Sequence, residues 1–296
     1  MTSLPFYHID VFTRVPFQGN PASVLVGAAA FEEPQMQAIA REIGLPGNGF
    51  VWPAAGEPRT FHLRLFTPQR EVSLSGHTSL ACAHALFSSM SSGEGAAPLT
   101  FRTRSAQLTV ERQGGLLWLM LPLPSLRDYP GARRDIAAVL GLSVEAVRSD
   151  LPLQLSPEND LLIPVADDIE IGQVVPDVQA MAALGQQAGV RGFCVFSTRT
   201  RDPAAQVQSR FFAPHYGVPE DPATGSVHGP LALYLWRHGL VQPQGNVVAL
   251  IGEQGEALGR PSRVHVAVAL ADNTPQRVRV GGEAVTVIRG YIPIAF

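Results

Sequence analysis

Two stretches of this 296-residue chain are apolar on nearly every side of a helix, and that constrains the fold more than any other feature. The first, spanning 78–88, carries Leu80, Ala81, Cys82, Ala83, Ala85, Leu86 and Phe87; the second reads Pro230-Leu231-Ala232-Leu233-Tyr234-Leu235-Trp236. A helix without a polar face must be enclosed. The segments around each stretch alternate or cluster apolar residues as strands do, so the enclosing material is sheet. The expected architecture is α+β: two pseudo-symmetric lobes, each an antiparallel, strongly curved sheet wrapped around a central buried helix. Pro122-Leu123-Pro124 marks the boundary. It gives a lobe over 1–122 and another over 123–283, with a last strand near 284–296 returning to the first and a cleft between the two.

In the first lobe the pattern predicts strands over 7–12 and 22–27 and an amphipathic helix over 32–43, on Met36, Ile39, Ala40 and Ile43. Gly44-Leu45-Pro46-Gly47-Asn48-Gly49 reads as a break, followed by strands at 50–52 and 61–66. After the helix comes a polar loop over 91–98, then strands near 99–103, 106–111 and 116–121. The second lobe is predicted to hold helices at 135–140, 144–148 and 177–188. Its strands fall at 160–165, 192–197, 207–213, 246–251, 263–270 and 277–280, and the strand at 284–294 is the one that returns to the first lobe.

Composition removes several function classes. All positive residues are arginine; the chain has no lysine, which excludes a pyridoxal-phosphate Schiff base and a P-loop. A net charge of −3 without a basic run argues against nucleic-acid or anionic-membrane partners. No window is apolar for long enough to cross a bilayer, and residues 1–7 lack the basic and apolar regions of a leader. Cys82 and Cys194 stand alone, outside any metal spacing, and are expected to be buried, inert thiols. A cytoplasmic setting is the expectation.

Each apolar helix begins on a similar turn. Leu74-Ser75-Gly76-His77-Thr78 and Ala223-Thr224-Gly225-Ser226-Val227 both place a hydroxyl and a glycine just before the helix. Unpaired amides and the positive end of the dipole meet there, so a small carboxylate between the two starts would find donors from both sides without a metal or lysine. Gly76, Gly225 and Ser226 are the expected contacts, with acid/base groups drawn from opposite lobes. The plain alternative is a pair of helix-entry turns. A hydrolase built on Ser226 and His228 is disfavoured, because residues two apart on a helix point to different faces. His77 and His84 share a helical face, but no third metal ligand has motif spacing.

Ordered stretches along the whole chain resemble the PhzF-like isomerase family of phenazine biosynthesis, which shares the diaminopimelate epimerase-like fold. They are Asp10-Val11-Phe12-Thr13 with Pro16-Phe17-Gln18-Gly19-Asn20-Pro21, Ile39-Ala40-Arg41-Glu42, Leu65-Phe66-Thr67-Pro68, Ser75-Gly76-His77, Arg210-Phe211-Phe212-Ala213-Pro214, Glu220-Asp221-Pro222-Ala223-Thr224-Gly225-Ser226, and Glu253-Gln254-Gly255 with Gly259-Arg260-Pro261-Ser262. The resemblance implies cofactor-independent isomerisation or epimerisation of a small carboxylate in a homodimer. It matches His77 and Asp221 to assisting proton-handling residues and Asn20 to a position near the cleft. The two cysteines of the epimerases are absent from these helix starts. So is the glutamate that serves the phenazine isomerases as principal acid/base: Gly47 falls at its position, and Glu42 matches a different one. Two readings follow, an isomerase that works with His77 and Asp221, or a carboxylate-binding protein that has lost turnover. Restoring the acid with Gly47→Glu is the natural probe.

Overall fold

The computed structural model describes residues 2–90, 97–167 and 169–294. Six residues of the expected polar loop, 91–96, and the last two of the returning strand lie outside the described residues. The chain divides into two compact units, Met1–Leu121 with Gly281–Phe296, and Pro122–Val280.

In the first unit the helix α1 (Glu33–Ile43) starts on a capping box between Glu32 and Gln35 and stops at Gly44, whose φ of 71° is left-handed. The helix α2 (Gly76–Ser89) buries Thr78, Ser79, Leu80, Ala81, Cys82 and the apolar residues beyond them. It packs on the strands Thr2–Val11, Asn20–Val26, Gly47–Pro53, Leu116–Leu121 and Ala284–Ile294. The strand Ala284–Ile294 pairs antiparallel with Thr2–Val11. A smaller apolar cluster, with Leu25, Met36, Phe50 and Phe66, lies under α1.

In the second unit α3 (Arg133–Leu140) and α4 (Val178–Ala188) cover a core that includes Leu161, Ile163, Phe193, Val195 and Phe212. Asp177 caps α4 by accepting from the amides of Gln179 and Ala180. The helix α5 (Gly225–Arg237) is the enclosed one, packed on Val247–Gln254 and Ser262–Ala271.

The sheets are mixed, which corrects the expectation of antiparallel ones. Asn20–Val26 pairs parallel with Gly47–Pro53, and Thr60–Phe66 with Leu99–Arg102. Asp160–Pro164 pairs parallel with Gly192–Ser197, and Val207–Ala213 with Val247–Gln254. The reason is the crossovers. A helix between two strands carries the chain back to the end of the sheet where the first strand began, and α1, α2, α4 and α5 each fill one such connection. The strands that follow directly, such as Thr60–Phe66 after Gly47–Pro53 and Val207–Ala213 after Gly192–Ser197, pair antiparallel. Both units therefore run the same order of pairings.

A second correction concerns Gly47-Asn48-Gly49. These residues do not form a turn: they open a strand, with Gly47 opposite Ala22 and Gly49 opposite Val24. Residues i and i+2 of a strand share a face, and here both glycines face α2. A Cβ at Gly49 would lie 2.3 Å from Cys82 Sγ, and one at Gly47 would lie 2.0 Å from Thr78 Oγ1. The strand is bare there so that the helix can rest on its backbone. Asn48, pointing the other way, is fully buried, accepts from Ser23 Oγ at 2.7 Å and donates to the Leu45 carbonyl at 3.0 Å.

Candidate functional site

In the first unit the site residues gather at the start of α2. Gly76 is the first helical residue and His77 the second. Ser75 stands at the N-cap, yet its hydroxyl makes no capping bond to the helix. It turns instead to Thr78 Oγ1 at 2.7 Å and approaches His77 Nδ1 at 3.5 Å. Thr78 Oγ1 lies 3.3 Å from His77 Nε2. Each ring nitrogen thus has a hydroxyl beside it, and either hydroxyl can donate or accept, so both neutral tautomers are accommodated. Only part of the ring remains accessible. The loss of solvent disfavours the imidazolium and pushes the His77 pKa down to about 4.

Gly47 closes the other side of this arrangement. A Cβ there would stand 2.5 Å from His77 Nε2. The His77 ring and the Thr78 hydroxyl therefore fill the space that a longer side chain at 47 would enter. A glutamate introduced by Gly47→Glu would require the Thr78 hydroxyl and the His77 ring to shift. Asn20 opens the strand Asn20–Val26 and is fully buried, two residues before the position that faces Gly47.

In the second unit, Asp221 ends the strand Val218–Asp221, and Gly225 and Ser226 open α5. Thr224 is at the N-cap and, like Ser75, does not cap its helix with its side chain. Its hydroxyl donates to Asp221 Oδ2 at 2.6 Å. Gln254, buried in the neighbouring strand, donates to the Asp221 carbonyl at 2.7 Å and accepts from the Thr224 amide at 3.1 Å. Pro230, inside α5, has no amide for the Ser226 carbonyl, which loosens the first turn. His228 is sealed in the core, donating from Nδ1 to the Thr224 carbonyl at 2.8 Å, with its pKa pushed down to about 4 by burial. That leaves it no route to act as a base for Ser226.

Besides Thr224 and Gln254, three contributors were not assigned roles from sequence. Ser75 and Thr78 had a visible signal, since both flank His77 in the helix-start motif. Arg191 had none. Its guanidinium forks onto buried Asp160, meets Glu158 Oε2 at 2.6 Å and reaches Ser226 Oγ at 3.4 Å. The negative charge of Asp221 also acts on it. Burial raises the Asp160 pKa to about 6 despite the opposing pull of Arg191. Cys82 and Cys194 are buried free thiols whose pKa values burial pushes up. Among the described residues, no three His, Cys, Asp or Glu side chains come together as a metal site, and no helix is long and apolar enough to cross a membrane.

Known proteins resemble this chain along nearly all of its length. The family model described as phenazine biosynthesis-like protein matches residues 9–290. An uncharacterized isomerase of Escherichia coli O157:H7, YddE, is 32% identical over 94% of this chain and 95% of its own. The trans-2,3-dihydro-3-hydroxyanthranilate isomerase of Pseudomonas chlororaphis is 30% identical over 96% of this chain and 97% of its own. Among solved structures, a phenazine biosynthesis protein of the PhzF family from Bacillus anthracis superposes with a TM-score of 0.87 at 25% identity. The match covers 99% of this chain and all of that one.

Proposed function

The chain belongs to the phenazine biosynthesis-like (PhzC-PhzF) family, with its diaminopimelate epimerase-like fold, and from that premise we propose that it is a cofactor-independent isomerase. The proposed reaction moves a proton on a small carboxylate, with His77 and Asp221 handling the proton and Asn20, Gly76, Gly225 and Ser226 holding the substrate. The two units would act as pseudo-symmetric halves, each contributing one helix start, in a homodimer. The repeated order of strand pairings in the two units supports that reading.

The observation that carries it is the state of His77, a neutral imidazole flanked by hydroxyls at a helix start. A base with a pKa of about 4 is weak at neutrality, but the negative charge of an arriving carboxylate stabilises the imidazolium and raises that value toward the working range. Substrate binding thus prepares the base. Ser75 and Thr224 support the anion seat: both are residues of the type that normally caps a helix, yet both hydroxyls are committed elsewhere, leaving first-turn amides for a ligand. At the other start, Thr224 Oγ1 orients the carboxylate of Asp221.

The second reading is binding without turnover, and Gly47 at the family's glutamate position is what favours it. Solvent exchange separates the two. The protein is incubated in D₂O with small unsaturated, hydroxylated and amino carboxylates, and deuterium entering carbon positions is followed by NMR. Isomerisation requires wash-in for at least one member, reduced about 10²-fold or more by His77→Ala or Asp221→Asn. Calorimetric binding of these compounds without exchange in any of them would favour the second reading.

A further inference from the structure

Away from the start of α2, the first unit holds a cavity of about 200 Å³, small beside the ~300 Å³ lower bound of drug-sized sites. One wall is apolar, formed by Phe87 near the end of α2 and Leu117 on the strand Leu116–Leu121. The charged groups lining it are Arg14, Arg112, His84 and Glu283. Arg14 and Glu283 cancel, paired at 2.9 Å. His84 is neutral near pH 7: burial and the nearby positive charge of Arg112 together push its pKa down to about 4, and its Nε2 lies 3.1 Å from Thr286 Oγ1.

That leaves Arg112. Among the described residues its guanidinium has no carboxylate partner, and the charge effect seen on its surroundings is the repulsion of a proton from His84. The cavity therefore holds one net positive charge beside an apolar wall. We propose that it is a binding site for a small organic carboxylate, with the charged head on Arg112 and the apolar body against Phe87 and Leu117. The site does not depend on the isomerase reading. His84 is seven residues beyond His77 on α2, about 10 Å along the helix axis.

Benzoate and its uncharged counterpart benzamide test the assignment on the full chain, with calorimetry for affinity and the histidine ring resonances for location. Benzoate is expected to bind and to shift the His84 resonances, because an anion on Arg112 changes the field at the adjacent imidazole, which burial, the larger cause, still keeps neutral. Benzamide is expected not to. Arg112→Gln, at an exposed position, should weaken benzoate at least tenfold and abolish the His84 shift. Ser88→Trp, also at an exposed position at the cavity rim, should block binding by bulk alone. Absence of benzoate binding would overturn the proposal, as would binding that Arg112→Gln leaves intact or that moves His77 and spares His84. Failure of solvent exchange would not touch it.

Discussion

Hydroxyl groups stand beside both His77 and Asp221, and this makes specific predictions at the residue scale. Because the His77 pKa lies near 4 rather than 6.5, its basic form persists well into acid. In the exchange assay, the acid limb of the rate for free enzyme should fall through about pH 4, with no loss between pH 7 and 6. A limb centred near 6.5 would mean a solvated histidine. Gln254 matters for Asp221 in a similar way. Replacing it with leucine leaves the Thr224 amide and the Asp221 carbonyl without their buried partner, at an expected cost of about 1–3 kcal/mol in urea unfolding. Both candidate residues were readable as residue types within a motif. The hydroxyls around His77 were visible too, but their roles were not, since nothing in Ser75-Gly76-His77-Thr78 says that the N-cap side chain declines to cap.

At the scale of elements, the contact of α2 with the strand Gly47–Pro53 is the one the site depends on. Local chemistry misleads there. Pro46-Gly47-Asn48-Gly49 has the composition of a turn, yet the register with Asn20–Val26 and the weight of α2 make it strand. Gly49→Ala should destabilise the protein by about 1–3 kcal/mol, because the added methyl meets Cys82 Sγ. Cys82→Ala should recover much of that loss in the double variant, and chemical denaturation of the four-member cycle reads the coupling directly. Additive penalties would show that the helix does not bear on the strand at that point. Three helices were legible to within about two residues at each end: 32–43 against Glu33–Ile43, 177–188 against Val178–Ala188, and 78–88 against Gly76–Ser89. The helix expected at 144–148 is instead a short 3-10 turn, Val144–Ala146. The two extra residues at the start of α2 are what bring His77 inside the helix.

For the whole molecule, the titration of buried groups sets how stability follows pH. His77, His84 and His228 each have a folded pKa of about 4 against an ordinary 6.5, so the stability they contribute is present above 6.5 and lost as pH falls toward 4. Asp160 works the other way: with its pKa raised to about 6, its contribution is full below the ordinary 3.8 and lost as pH rises through 6. Near pH 5 the three histidines outweigh the one acid, and unfolding should take up about two protons from these groups. The urea midpoint is therefore expected to be lower at pH 5 than at pH 7, and an unchanged or higher midpoint would contradict the burial of these imidazoles.

The sequence by itself determined that two helices had to be enclosed, that each began on a hydroxyl-glycine turn, and that lysine chemistry was absent. It also carried the family resemblance in ordered motifs. These are properties of composition and of residues within a few positions of one another. Tertiary structure alone decided that the sheets are mixed, that Gly47 and Gly49 lie bare beneath α2, and that Arg191 reaches Ser226. Such facts depend on strand register and on contacts between residues tens of positions apart, where packing overrides local preference. The opening turn at Ser75-Gly76-His77 shows both sides: its type was readable, but the hydroxyl-flanked state of its histidine depends on Gly47, which leaves the strand bare where the ring lies.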